Sequence, residues 1–130
     1  MSAAVKMMEV KARLEALGHK VVLPQNTEKY ADNSLPMETP EESSANKVSG
    51  NLLRRYFDII SDNDAILVIN EPKNGIDGYI GGNTLIEMAF AHILNKPIYV
   101  LNQPNISLSY LDEIIAMEPV VLEGNLRKLV

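Results

Sequence analysis

Cysteine is absent from this chain. Disulfides, thiolate metal sites and cysteine nucleophiles are therefore excluded, which suits a cytoplasmic protein. Tryptophan is absent too, and aromatic residues make up 5% of the chain, too few and too scattered for a base-stacking platform along a nucleic-acid strand. There is no excess of positive charge: the net charge of -5 opposes a nucleic-acid backbone as main partner. Arg54-Arg55, an adjacent basic pair, reads as a solvated helix face. No apolar run approaches the roughly 20 residues of a membrane span, and no signal peptide is visible, so no membrane partner is expected. His19 and His92 lack metal-site spacing and read as structural residues. No serine sits in a nucleophile elbow, and no Walker or dinucleotide fingerprint is present. Neither a metal nor a cofactor is expected.

What remains is an ordinary globular composition, 46% hydrophobic and 22% charged, over 130 residues, enough for one domain with a real core. Residues 3–17 form an amphipathic helix with Ala3, Met7, Val10, Leu14 and Leu17 on one stripe, stopped by Gly18. A short strand follows over 20–23. Residues 24–44 are polar and hold three prolines; a loop of that length is a lid or a surface loop. A second helix spans 45–60, locally weakened by Gly50. Ala65 to Asn70 is a continuous apolar run, the mark of a parallel strand covered on both faces. Residues 71–82 are a loop rich in glycine. A third helix over 84–94 is apolar nearly all round, which predicts burial. Strands over 97–102 and 119–122 flank a short helix opened by Ser109. Strands alternating with helices predict an α/β fold with a parallel sheet, whose ligands bind beyond the carboxyl ends of the strands. The six methionines read as core filler.

Residues 81–91, Gly-Gly-Asn-Thr-Leu-Ile-Glu-Met-Ala-Phe-Ala, are the most informative stretch. They place one carboxylate, Glu87, near a helix N-terminus, where the partial positive charge stabilises an anion. An ionised carboxylate beside a glycine loop can serve as a nucleophile or accept ribose hydroxyls. Thr84-x-x-Glu87 is equally a capping box that satisfies helix amides and needs no substrate. The two roles are compatible.

Asp64-Ala65-Ile66-Leu67-Val68-Ile69-Asn70, the glycine loop, Thr84-x-x-Glu87-Met88-Ala89-x-Ala91 and Lys96-Pro97-Ile98-Tyr99 together resemble the nucleoside 2-deoxyribosyltransferase-like superfamily. Its enzymes carry Gly-Thr-x-x-Glu-(Leu/Met)-(Gly/Ala)-x-Ala after the third strand. Leu17 to Pro24 is similar to the passage from that family's first helix to its second strand. The likeness covers most of the chain, and its specific part is 82–97. It implies one domain over 1–130 with a flavodoxin-like, Rossmann-like parallel sheet and helices on both faces. Four strands of the usual five are visible. The first is missing, so an N-terminally truncated domain is expected, with Met1-Ser2 at the end of a Gly/Ser loop.

The resemblance also implies cleavage of a nucleoside or nucleotide N-glycosidic bond, or 2-deoxyribosyl transfer, with Glu87 as nucleophile. Gly81, Gly82, Asn83 and Thr84 would shape the sugar or phosphate pocket. Asn70 and Glu71, at the carboxyl end of the strand, would meet ribose hydroxyls or order water, and Tyr79, by its place beside the glycines, would stack on the base. Asp77 is the nearest acid for the leaving base, or a turn residue before Gly78. Two positions depart from the pattern: Asn83 stands where relatives have glycine, and Gly81 stands where they often carry Asp or Ser. Gly81-Gly82-x-Thr84-x-x-Glu87 is also similar, one residue short, to the motif of lysine-decarboxylase-like phosphoribohydrolases, which share the substrate class. The alternatives are a non-catalytic nucleotide-binding domain and a structural fragment. Relatives usually associate, so a homo-oligomer is expected.

Overall fold

Helix α1 (Ala3–Ala16) ends as Gly18 enters the left-handed region at φ +96, and the His19 amide returns to the Leu14 carbonyl at 3.0 Å. This is the stop expected of glycine just past a helix end. The computed structural model describes residues 3–24 and 52–129. After α1 come α2 (Leu52–Ser61), strand β1 (Ile66–Val68), α3 (Gly82–Ile93), β2 (Ile98–Val100), α4 (Leu111–Ala116) and β3 (Val120–Val121). A single 3-10 turn at Leu126–Lys128 follows. The chain is therefore mixed α/β, with a small three-stranded parallel sheet in the order β1-β2-β3. The register pairs Ile66 with Ile98, Val68 with Val100, and Val100 with Val121.

Alternation along these strands sorts side chains into two cores. Val68, Ile98 and Val100 pack with Ile60 of α2, Met88 and Ala91 of α3 and Ile114 of α4. Tyr99, Leu101 and Leu122 pack with Val10 and Leu14 of α1 and with Leu126, while Leu67 and Ile69 lie against the same cluster. The continuous apolar runs of β1 and β2 thus serve two covered faces, as a buried parallel strand requires. Each fully buried Leu, Ile or Met side chain contributes about 1.5–3 kcal/mol of burial.

Three expectations change. Residues 19–24 form no strand, because a strand needs a neighbour for its amides and carbonyls and no described strand lies beside them. Val21 nonetheless packs against the α1-side core. Helix α3 is not buried all round: Ile86 is 40% and Ile93 76% exposed. Three strands are too narrow to cover more than one stripe of it, and its flank is met instead by Phe57 of α2, edge-on to Phe90 at a centroid distance of 5.2 Å. The short fourth helix begins at Leu111 rather than Ser109. The loop over 24–44 beyond Pro24 and the start of the second helix with Gly50 lie outside the described residues.

Beyond β1 and β2 the chain is tied by a pair of asparagines. Asn70 is 1% exposed. Its Nδ2 donates to the Asn102 carbonyl at 2.6 Å, and its Oδ1 accepts the Asn102 amide at 2.8 Å. Asn102 Nδ2 in turn donates to the Asn70 carbonyl at 3.2 Å. A side chain here continues the ladder past the last strand residues. Asn70→Ala removes both side-chain bonds and strands two backbone groups of Asn102. A loss of about 2–4 kcal/mol is expected in a denaturant melt. A loss under about 0.5 kcal/mol would show that the clasp is dispensable.

Candidate functional site

Asn83 and Glu87 stand one turn apart on α3, the spacing at which side chains meet on a helix. Asn83 Nδ2 donates to Glu87 Oε1 at 3.0 Å. The bond draws the carboxylate back toward the N-terminal end of α3. That end follows the glycine loop that leaves the carboxyl end of β1.

The capping box does not form. Gly81 is the N-cap, in extended conformation with no side-chain bond, and its carbonyl accepts the Leu85 amide at 3.0 Å. The helix starts two residues before Thr84 because Gly81, Gly82 and Asn83 complete its opening turn. Thr84 therefore sits inside the first turn and Glu87 in the second, too far along for reciprocal capping. Glu87 is bonded to Asn83 instead.

The lead-in to α3 is strapped to the loop after β2. Gly78 takes φ +66, and its carbonyl accepts the Asn105 amide at 3.2 Å. Asn105 Nδ2 donates to the Asp77 carbonyl at 2.8 Å. The Tyr110 hydroxyl donates to the Ile80 carbonyl. Tyr79 lies between these points: Lys73 Nζ stands 5.7 Å from the centre of its ring, and its edge would lie 3.5 Å from a Cβ on Gly81. The Tyr79 ring thus borders the N-cap of α3, with one approach taken by an ammonium group.

Partial burial, and after it the neighbouring Tyr79 hydroxyl, hold the Tyr110 phenol above its ordinary 10.0. The native state therefore holds the Tyr110 proton more tightly than the unfolded chain. The stability this supplies is complete below pH 10.0 and is lost as pH rises through the raised value. Tyr110→Phe removes both the bond to Ile80 and that linkage. We expect about 1 kcal/mol of destabilisation at neutral pH and a shallower fall in stability above pH 10. Parallel melts of the two proteins across that range test this. Equal alkaline slopes would remove Tyr110 as the titrating group.

The predicted site residues divide accordingly. Asn83 is joined to Glu87, and Tyr79 to the Gly81 cap. Asn70 is taken by Asn102, so its amide holds strands together rather than awaiting ribose hydroxyls. Asp77 is exposed, and its carbonyl, not its carboxylate, meets Asn105. Gly82 is exposed at the first position of α3. Asn102, Asn105 and Tyr110 escaped the sequence reading. The run Asn102-Gln103-Pro104-Asn105 directly after an apolar strand was the available signal, since polar residues there fall at the carboxyl edge of a parallel sheet.

Two cavities open on the α1 side of the molecule. One of about 80 Å³ is lined by Lys6, Arg13, Glu71 and Asn102 over Val10 and Leu101. The other, about 510 Å³, shares Arg13, Gly124 and Leu126 with it and adds Arg127 and Glu123. Neither is lined by Glu87. Among the described residues no three His, Asp or Glu side chains converge as a metal site would require, and no helix is long and apolar enough to cross a membrane. A scan of the chain against protein-family models finds no match, and searches of curated proteins and of solved structures find none either.

Proposed function

We propose that this chain cleaves the N-glycosidic bond of a nucleoside or nucleotide, or transfers its 2-deoxyribosyl group, with Glu87 as nucleophile. The observation that carries the reading is the Asn83–Glu87 hydrogen bond of 3.0 Å. It holds the carboxylate on a rigid helix, in the turn that follows a glycine-rich start, and draws one of its oxygens back toward the N-terminal end. In the reaction a Glu87 oxygen attacks the anomeric carbon as the carbon–nitrogen bond breaks. The base departs with a proton from an acid, for which Asp77 is the nearest candidate in sequence. Water or a second base then takes the sugar and restores the carboxylate, the double-displacement logic of retaining glycosidases.

The same proposal extends to the fold. In a flavodoxin-like, Rossmann-like sheet of five strands, β1, β2 and β3 are the last three, in their proper order. Glu87 then follows the middle strand on the helix that such folds use at their ligand edge. Gly81, Gly82, Asn83 and Thr84 line the sugar side and Tyr79 the base side. The reading includes a cytoplasmic homo-oligomer, for which the exposed Ile86 and Ile93 offer apolar surface.

The lysine-decarboxylase-like phosphoribohydrolase variant shares the bond and would be recognised by its demand for a 5′-monophosphate. A second reading is a nucleotide-binding domain without catalysis. It is favoured by the engagement of Asn70 with Asn102, which takes up an amide expected to meet ribose hydroxyls. The test is free base released from a panel of nucleosides and 5′-monophosphates, followed by chromatography, for the wild type and Glu87→Ala. Release that depends on Glu87 supports the enzyme. Binding without release from any substrate supports the second reading.

A further inference from the structure

The glycine loop between β1 and α3 turns back on itself at Asn74-Gly75. Lys73 and Ile76 exchange both backbone hydrogen bonds across the pair, at 3.1 and 3.0 Å. Both central residues are left-handed, at φ +54 and +76. This is the tight hairpin turn that Asn-Gly favours. Asn74 and Gly75 are exposed, and among the described residues nothing but chain neighbours lies within 4 Å of where Gly75 would carry a Cβ. Neither the Asn74 side chain nor the Gly75 amide has a hydrogen-bond partner among the described residues.

The other described asparagines are held. Hydrogen bonds engage the side chains of Asn63, Asn70, Asn83, Asn102, Asn105 and Asn125. Asn95 is followed by Lys96, whose amide is bonded to the Ala91 carbonyl at 2.8 Å. Asp77-Gly78, a second pair of the same kind in this loop, is clamped. Its two carbonyls accept from the Asn105 side chain and amide, and Gly78 is buried. Two reactive pairs thus stand in one loop, and packing leaves one of them open.

We propose that Asn74 is a self-modification site, at which the side-chain amide is lost through a cyclic imide with Gly75 and aspartate or isoaspartate is left. The Gly75 nitrogen attacks the side-chain carbonyl carbon of Asn74. A carbon–nitrogen bond closes the five-membered ring, the bond to the side-chain nitrogen breaks, and ammonia departs with the Gly75 proton. Water then opens the ring at either carbonyl, and no other reactant is needed. Glycine permits the attack because no side chain crowds its nitrogen. The ring does not fit the turn, so the two Lys73–Ile76 bonds open first, a local event at an exposed hairpin. Either product sets a carboxylate beside Lys73, whose ammonium stands 5.7 Å from the centre of the Tyr79 ring. Isoaspartate also lengthens the main chain by one carbon, so the two bonds do not both re-form. The result is a slow, one-way change at the approach to α3, in which Lys73 is drawn off Tyr79. It does not depend on the reading of Glu87.

The full chain is aged at mildly alkaline pH, folded and in denaturant, and mapped by peptide mass spectrometry with electron-transfer fragmentation. In the folded chain a gain of about 1 Da is expected at Asn74. It should appear about tenfold or more faster than at any other described asparagine. Isoaspartate is expected at position 74 and not at 77 while the chain is folded, and at both in denaturant. Freshly prepared Asn74→Asp supplies the aspartate product directly. Its Tyr79 ring protons are expected to shift in the NMR spectrum, and the same shift should grow in as the wild type ages. A folded chain that gains no mass at Asn74, that gains it equally at another described asparagine, or that forms isoaspartate at 77 as fast as at 74 would overturn the proposal. Tyr79 resonances unmoved in both Asn74→Asp and the aged chain would overturn the link to Lys73.

Discussion

Gly78→Ala is expected to lower the stability of the fold by about 3 kcal/mol or more, and its melting temperature by about 10 °C. Two effects add at this position. Its φ of +66 is left-handed, which costs a residue with a Cβ about 1–2 kcal/mol. A Cβ there would also lie 2.1 Å from the Gln103 carbonyl oxygen and 3.1 Å from the Asn105 amide nitrogen. Both neighbours are backbone, so relief requires the loop after β2 to move. That loop carries Asn102 and Asn105, which hold the ends of β1 and the approach to α3. Gly124→Ala is the matched control. Its φ is +76, but among the described residues no atom beyond its chain neighbours lies within 4 Å of the added carbon. It should lose only the backbone part, about 1 kcal/mol. Thermal melts of the two variants side by side separate strain from collision. Equal losses would mean that the 77–81 segment is not pressed against the 103–105 loop.

Glu87→Gln carries the largest expected effect on activity, a fall in base release of about a thousandfold or more. Glutamine keeps the shape and can still accept from Asn83 through its carbonyl oxygen, so the melting temperature should change by no more than about 2 °C. What it lacks is the negative charge needed to attack the anomeric carbon. Asn83→Ala tests the orientation separately. It leaves the charge and removes the 3.0 Å bond, and a tenfold fall in kcat with little change in KM is expected, about 1.4 kcal/mol. Activity retained by Glu87→Gln would remove Glu87 as nucleophile, even if the chain proves to be an enzyme. A parallel loss of activity and stability would instead assign the residue to the integrity of α3.

Much of the fold is legible in local order. Val10 and Leu14 lie on the stripe read from the first helix, and Gly18 ends it. Ile66 to Val68 and Ile98 to Val100 send side chains into both cores, as uninterrupted apolar residues do in a strand with both faces covered. The start of α3 was less legible, since Thr84-x-x-Glu87 satisfies the capping pattern as well as Gly81 does. The choice fell to Gly81, whose carbonyl begins the helical bonding three residues earlier.

The amino-acid order by itself determined the alternation of helix and strand and the parallel sense of the sheet. These follow from periodicity, glycine stops and chain connectivity, all of which act over a few residues. Tertiary structure alone decided what the polar groups at the sheet edge do. Asn70 meets Asn102 at a separation of 32 residues, and Tyr110 meets Ile80 at 30. No local pattern encodes such a meeting. It arises because parallel strands bring their carboxyl ends together, where unpaired backbone groups beyond the ladder must find partners. The same packing left Arg13 and Glu71 facing one hollow without contact, an arrangement set by the distance of α1 from the strand ends.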